Sequence, residues 1–540
     1  MHLDLRRLPG TPPLLRDYAH AYPRVAPFFA RDPHPADAYA EAARALAARR
    51  YPRAEVAAAL RARHAAWGAP APVHERIQEL AHPESLAVVT GQQTGLFGGP
   101  LFTLYKALTA VRLAEQARQA LGRPVVPLFW LAAEDHDVAE ADHVTLLDRT
   151  GGLLTVRHSA WGSPGYMPAQ LLLGPAVHET LEAALGVLPS SDFLPAVAAA
   201  LREAYAPERT LAEAFARWML GLLGRFGLVL VDGADPALKR LAAPVFQQEA
   251  AEAPRSSQRI LEASRALRAL GYPNQIEARP DGVNCFLLRD GRRPLARDGA
   301  DLRLRDGGER LAAAELQRIA REEPERLSPN VALRPIVQDA LFPTLAYVAG
   351  PGELSYFAQL RPVYEAFGVP MPLILPRASF TLLEPRPAQL LEKFRLALPD
   401  LVREPEQLAS QVLRAQLPPD LDATLARARA GVDELFREVG EAVAAVDPTL
   451  RATVGQSAGH IKGHLDQLQK KAVQALKRRE EETRTQVQRL RQALMPGGRP
   501  QERVLPALPY LARHGTVLLD AVHAAIHGPG WTHQLLRLGG

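Results

Sequence analysis

SLAVVTGQQTGLFGGPLFTLYKALTAVRLAEQARQALGRPVVPLFWLAAEDHD, residues 85–137, decides the fold. SLAVVTG (85–91) is apolar without alternation, the pattern of a strand buried on both faces. A glycine-rich loop follows. A helix is then predicted over 101–121, where Leu101, Leu104, Leu108, Val111 and Leu113–Ala114 recur three or four residues apart. Gly122 and Pro124 end it. VVPLFWLA (125–132) is a second all-apolar strand, stopping at the acidic cluster EDHD. Strand, loop, helix and strand in this order form one βαβ unit, so the chain is read as α/β with a parallel sheet covered on both faces.

Working outward, GLVLVDG (227–233), LAYVAG (345–350) and MPLILPR (371–377) read as three further strands of that sheet. The intervals of about 133–226 and 234–344 must then hold insertions, and QIEARPDGVNCFLLRDGRRPL (275–295), with its DG turns, predicts antiparallel strands in the second. Residues 36–82 are rich in alanine and arginine with helical periodicity, giving a helical N-terminal section over 1–84. The core is assigned to 85–395, a coiled-coil domain to 396–500, and a segment returning to the core to 501–540. Leu421, Leu425, Ala428, Val432, Leu435, Val439, Ala442 and Val446 alternate spacings of four and three, a coiled-coil seam. Pro448 interrupts it. A second helix from about Gln456 to Met495 carries Ile461, Leu465, Leu468, Ala472, Leu476, Thr483, Val487, Leu490 and Leu494, so an antiparallel hairpin of two long helices is expected.

The bulk numbers exclude several classes. With 47% hydrophobic and 23% charged residues over 540 positions, the chain is an ordinary globular one of roughly three to four structural units. No apolar run approaches the ~18 residues of a membrane span, and MHLDLRRLPGTPPLLRDY lacks the apolar segment of a secretory signal. One cysteine, Cys285 in the strand-like VNCFLL, allows no internal disulfide; it reads as a buried structural thiol in a cytoplasmic protein. The net charge of +5 is mild and the arginines are scattered near glutamates, so no nucleic-acid face is expected.

Three blocks carry candidate chemistry. In GQQTGLFGGPLFTLYK (91–106) the spacing of Gly91, Gly95, Gly98 and Gly99 fits neither GxGxxG nor GxxxxGK[ST], so a turn competes with an anion cradle. Gln92 and Gln93, at a strand's C-terminal edge beside Thr94, are natural substrate-orienting amides. Lys106, two turns into the helix, is expected to snorkel to solvent. In AAEDHDVAEADH (132–143), Asp135, His136 and Asp137 are candidates for acid–base work or recognition of an amine. On a continuing helix His136, Glu140 and His143 would share a face, yet the spacing is not HExxH, and no permanent metal is expected. A capped helix start with solvated acids is the plain alternative. In SPNVALRPIVQDALFPTLAYVAGPGELSYFAQLR (328–361), Asn330, Arg334, Gln338 and Asp339 precede a strand, while Gly350, Gly352, Glu353 and Gln359 follow it. So many polar groups around one strand edge suggest a site, with the arginine suited to carboxylate or phosphate.

Together VTGQQTGLFGGPLFTLYK, VPLFWLAAEDHDVAEADHV and LSPNVALRPIVQDALFPTLAYVAGPGELSYFAQL resemble the signatures of the bacillithiol biosynthesis cysteine-adding enzyme family, BshC. The resemblance continues through MPLILPRASFTLLE (371–384), the coiled-coil section and QERVLPALPYLARHG (501–515). It implies a Rossmann-like core with connecting-peptide insertions, akin to class I aminoacyl-tRNA synthetases, and a coiled coil that supports homodimers. It also implies ligation of L-cysteine to glucosaminyl-malate. Because an amide does not form readily from a free carboxylate in water, ATP is expected to adenylate or phosphorylate the cysteine carboxylate, with magnesium carried on the phosphates. On this reading the 91–99 loop and the following helix N-terminus face nucleotide or substrate carboxylates. Asp135, His136 and Asp137 handle the amine, and Asn330 and Arg334 hold anions. The HIGH and KMSKS signatures of the synthetases are absent. A synthetase-like enzyme on another substrate such as tRNA, and a non-catalytic nucleotide-binding coiled-coil scaffold, stay open at this point.

Overall fold

The computed structural model describes residues 2–135, 137–159, 161, 167–305, 307–416 and 421–539, without the side chains of 414–416, 421, 422, 473, 476, 477 and 479. Two compact units emerge, one of residues 1–384 with 499–540 and one of 385–498.

The first unit is built on a five-stranded sheet of β1 (Leu86–Gln92), β2 (Val125–Leu131), β3 (Val229–Asp232), β4 (Thr344–Ala349) and β5 (Leu373–Pro376). Its order is β5-β4-β1-β2-β3, every pair parallel. The α/β reading therefore holds, and all five strands lie where the apolar runs put them. Pleating sends successive residues to opposite faces. Accordingly Leu86 and Val88 join one buried cluster while Ala87 and Val89 join the other. The helix α1 (Arg53–Trp67) locks to the sheet through His64, whose Nδ1 bonds the Leu60 carbonyl at 2.8 Å while Nε2 accepts the Leu230 N–H at 3.1 Å. The helix α2 (Leu101–Leu121), ended by Gly122 in the left-handed conformation, connects β1 to β2. Helices α3 (Arg334–Leu341) and α4 (Pro351–Phe357) flank β4.

The insertions are real elements. The first holds the hairpin His143–Leu147/Leu153–Arg157 and three helices within 176–223. The second holds a five-stranded antiparallel sheet in which Gly282–Leu288 pairs with Arg292–Asp298 across Asp290–Gly291. Residues beyond 499 return to this unit, where Thr532–Arg537 lies between His2–Asp4 and Ser379–Leu383.

In the second unit α5 (Leu421–Ala444) and α6 (Arg451–Leu494) form the hairpin, broken at Pro448–Leu450. Its seam differs from the expected one. Leu425 and Val432 are shielded as read, but so are Arg429, Phe436, Gly440 and Val443, whereas Ala428, Leu435, Val439, Ala442 and Val446 are exposed. On α6 Thr483, Val487, Leu490 and Leu494 are buried as read, but Ile461 and Leu468 face outward; the Leu476 side chain lies outside the described residues. Two rows displaced by one residue share α5, and a sequence repeat cannot say which row the second helix covers.

Candidate functional site

In the order 3-2-1-4-5 the chain reverses direction between β1 and β4, and ligands of open α/β sheets bind in the crevice outside the strand ends there. A cavity of about 330 Å³ occupies that place. Gly91, Gln92 and Gln93 line it where β1 ends; Gly350, Gly352 and Glu353 line it where β4 ends. Trp130 and Asp135 close the β2 side and Arg334 comes from α3.

Gly91 sits opposite Trp130 in register, and a Cβ there would lie 2.8 Å from the Trp130 carbonyl oxygen, closer than any real contact. The chain needs glycine at this point so that the two strand ends can abut under the cavity. Two residues on, the Gln93 amide Nε2 donates to Asp135 Oδ2 at 2.7 Å, joining the first two sequence blocks. Asp135 Oδ1 also accepts the Asp137 N–H at 3.2 Å.

Lys106 departs from expectation: it does not snorkel. Its side chain is 2% exposed, and Nζ pairs with Glu353 Oε2 at 2.5 Å. The ammonium also donates to the Gly91 carbonyl and, at 3.2 Å, to Gln92 Oε1. Burial pulls its pKa down and the Glu353 carboxylate opposes that shift. Glu353 further accepts the Tyr347 hydroxyl at 2.7 Å and the Gly350 N–H at 2.7 Å. One lysine thus ties the ends of β1 and β4 together, because the second turn of α2 lies beneath the crevice rather than at the surface.

Arg334 donates to Gln338 Oε1 at 2.9 Å and to the Tyr356 hydroxyl at 3.2 Å, and its guanidinium lies 5.9 Å over the Trp130 ring. Burial pushes the Tyr356 hydroxyl up to about 12, so it stays a neutral partner. Gln338 and Asp339 do not reach the cavity. Gln338 passes its amide on to Asp339 at 2.8 Å, and Asp339, raised by burial to about 6, accepts the Tyr364 hydroxyl. Both are a support behind Arg334. Gln359 is also remote, clamping the backbone at Gln275 and Ile276 from a fully buried position. Thr94 and Gly95 are buried in the turn, outside the lining. Asn330 uses Oδ1 to accept the Ala332 and Leu333 N–H groups and Nδ2 to bond Asn284 at 2.8 Å. It lines a second cavity of about 470 Å³ that shares Trp130, Ala132, Asp135 and Arg334 with the first.

The α2 N-terminus is not open as expected, since the Leu101 N–H donates to the Leu505 carbonyl at 2.8 Å. Nor does a helix continue from the acidic cluster: it spans only Val138–Ala141, and His143 begins a strand, so Glu140 and His143 share no helical face. Asp137 is exposed and off the lining, and His136 lies outside the described residues. Among the described residues no group of three or more His, Cys, Asp or Glu side chains could hold a metal ion. Glu134 is off the first lining, in a buried pair with Lys239, and lines the second cavity.

Phe102, Arg377 and Arg503 complete the lining and escaped the sequence reading. Arg377 had a signal, sitting at the C-terminal end of β5 in LILPR. Arg503 had none, because it arrives from a segment far along the chain. Arg377 pairs with the buried Glu502 through both terminal nitrogens, leaving its Nε buried without an acceptor. Arg503 has no ion-pair partner among the described residues, and burial beside Arg377 lowers its pKa. The lining thus carries Lys106, Arg334, Arg377 and Arg503 against Asp135 and Glu353, an excess of positive charge suited to an anionic ligand.

Residues 1–378 match the model of the bacillithiol biosynthesis BshC N-terminal Rossmann-like domain, and 380–538 that of its C-terminal coiled-coil domain. A Salinibacter ruber protein named "Putative cysteine ligase BshC" is 37% identical over 97% of this chain and 96% of its own length. Proteins of the same name from Symbiobacterium thermophilum (35%, over 96% and 97%) and Chlorobaculum tepidum (35%, over 84% and 83%) are similar. With both domains matched in order and these relatives aligned along most of their length, the chain belongs to the bacillithiol biosynthesis BshC family.

Proposed function

We propose that this chain is a cytoplasmic cysteine ligase of bacillithiol biosynthesis, joining the carboxylate of L-cysteine to the amine of glucosaminyl-malate as an amide. The observation that carries the reading is the pairing of Gln93 with Asp135 at the switch point, a carboxylate held beside a cation-rich cavity. The names of the relatives agree with it.

Amide formation needs an uncharged amine, so a proton must leave the sugar ammonium before attack on the acyl carbon. Asp135 is the group placed to take it: its carboxylate is fixed by the Gln93 amide and stands in the wall of the cavity. Arg334 and Arg503 hold the carboxylate or phosphate oxygens that carry negative charge during attack and release. The lining fits a nucleoside triphosphate through its excess of positive charge and the unpaired Arg503. When bound, ATP supplies activation of the cysteine carboxylate. Phe102, Trp130, Tyr347 and Tyr356 are the aromatic part of the wall and limit water around the reacting groups.

Purified protein given ATP, L-cysteine and glucosaminyl-malate should yield bacillithiol by mass spectrometry, with AMP or ADP released. Asp135→Asn should lower kcat/KM by about a hundredfold or more without loss of fold. Absence of product from the wild type in the presence of ATP would sink the proposal.

The reading includes a homodimer through the coiled coil. Leu435 (56% exposed), Val439, Ile461 and Leu468 (57%) leave an apolar row on the hairpin that its own helices do not cover, and a second copy is the partner proposed for it.

A further inference from the structure

The two cavities meet at one wall. Trp130, Ala132, Asp135 and Arg334 belong to both, so the residues that read as reactive stand between two chambers rather than at the bottom of one. The Trp130 side chain fits in this wall because both neighbours give way. Gly91 abuts its backbone on the β1 side, and after β3 a Cβ on Gly233 would stand 2.9 Å from the indole Nε1. Such a divided site suits a reaction joining two molecules, each admitted from its own side.

The chambers differ in what their cations have left to offer. In the first, Lys106 already has three acceptors and Arg377 commits both terminal nitrogens to Glu502, so among the described residues Arg503 is its one guanidinium with no hydrogen bond or ion pair. In the second, the outer edge comes from the antiparallel insertion and carries Arg279 and Arg305. Neither side chain has a hydrogen bond or ion pair among the described residues, so both guanidinium groups keep all their donors for a ligand. The second chamber is also the larger, about 470 against 330 Å³.

We propose that the second chamber receives the dicarboxylate-bearing sugar, its malyl carboxylates taken by Arg279 and Arg305 and its amine directed to Asp135 in the shared wall. The smaller chamber is left to the amino acid and its activating group. This assignment rests on the ligase reading above. A forked guanidinium matches a carboxylate bidentately, and two of them in one lining match a dicarboxylate better than a single charge. Asn330 and Asn284, bonded to each other at 2.8 Å, line the chamber together with the carboxylates of Glu134 and Asp135.

The test is titration calorimetry on the full-length protein and on Arg279→Gln/Arg305→Gln, with circular dichroism confirming that the variant is folded. Glucosaminyl-malate should bind the variant about tenfold more weakly, while methyl glucosaminide, which lacks the dicarboxylate, and L-cysteine bind both proteins alike. If the wild type binds glucosaminyl-malate and the variant binds it equally well, the chamber assignment falls and the ligase reading stands. If inorganic pyrophosphate, run as a second probe, is the only ligand weakened, the arginines serve phosphate and the assignment is overturned. If the wild type neither binds glucosaminyl-malate nor makes product, both readings fall together.

Discussion

Lys106 shows how much one residue can carry. It bonds the end of β1 through Gly91 and Gln92 and the start of α4 through Glu353, so it fixes the spacing of the crevice as well as its charge. Removing it strands a shielded carboxylate. Lys106→Met should cost about 3 kcal/mol of stability, while Lys106→Met/Glu353→Gln, which leaves no unpaired charge, should recover part of that loss. Urea unfolding of the two variants checks this. Equal destabilisation of single and double variants would show that the pair is not the source. Ligation should be lost in both, because the Gln92 amide and the 350–353 turn lose their common anchor. The sequence placed Lys106 on the right helix turn but could not say that this turn lies under a strand edge.

Elements are held to one another by a few buried polar bonds, and the α1–β3 contact is one that responds to pH. His64 donates from Nδ1 and accepts at Nε2, a pattern that only the neutral ring can satisfy. Burial lowers its pKa from 6.5 to about 4, with the Leu60 carbonyl opposing. His533, buried between Ser379 and Thr381 in the three-stranded sheet, is likewise lowered to about 4. Both folded values lie below the unfolded one. Their stabilising contributions are therefore complete above pH 6.5, decline as pH falls, and are gone by about pH 4. Each shift corresponds to about 3 kcal/mol. Unfolding midpoints measured from pH 7.5 to 5.0 should fall in the wild type, and His64→Gln should show a slope shallower by about one proton. An unchanged slope would remove His64 from the account. At this scale the sequence was legible for every strand of the parallel sheet, since each is a continuous apolar run. The short helix at Val138–Ala141 was not, because the acidic cluster leads into a strand.

On the scale of the whole molecule, the last residues of the chain finish what the first half begins. Leu505 caps the α2 N-terminus, Glu502 anchors Arg377, and Arg503 enters the cavity. The coiled-coil unit carries the exposed row proposed as the dimer face. Leu435→Glu/Leu468→Glu should convert a dimer to a monomer by light scattering coupled to gel filtration, with ellipticity retained. A wild type that is already monomeric at micromolar concentration would refute the dimer.

Sequence by itself determined the α/β class, the five strands, the glycine-rich loop and the hairpin of long helices. These follow from local periodicity and from turn residues, which act over a few positions. It also marked Gln93, Asp135, Arg334 and Glu353 as polar residues at strand edges. Only the tertiary structure decided which of them meet. Gln338, Asp339 and Gln359 have the same composition signal as Arg334 but turn inward to satisfy buried groups. Phe102 and Trp130 read as core until the sheet order placed β1 beside β4. Side-chain direction at a strand end depends on the neighbours that the topology supplies, and no local pattern encodes that.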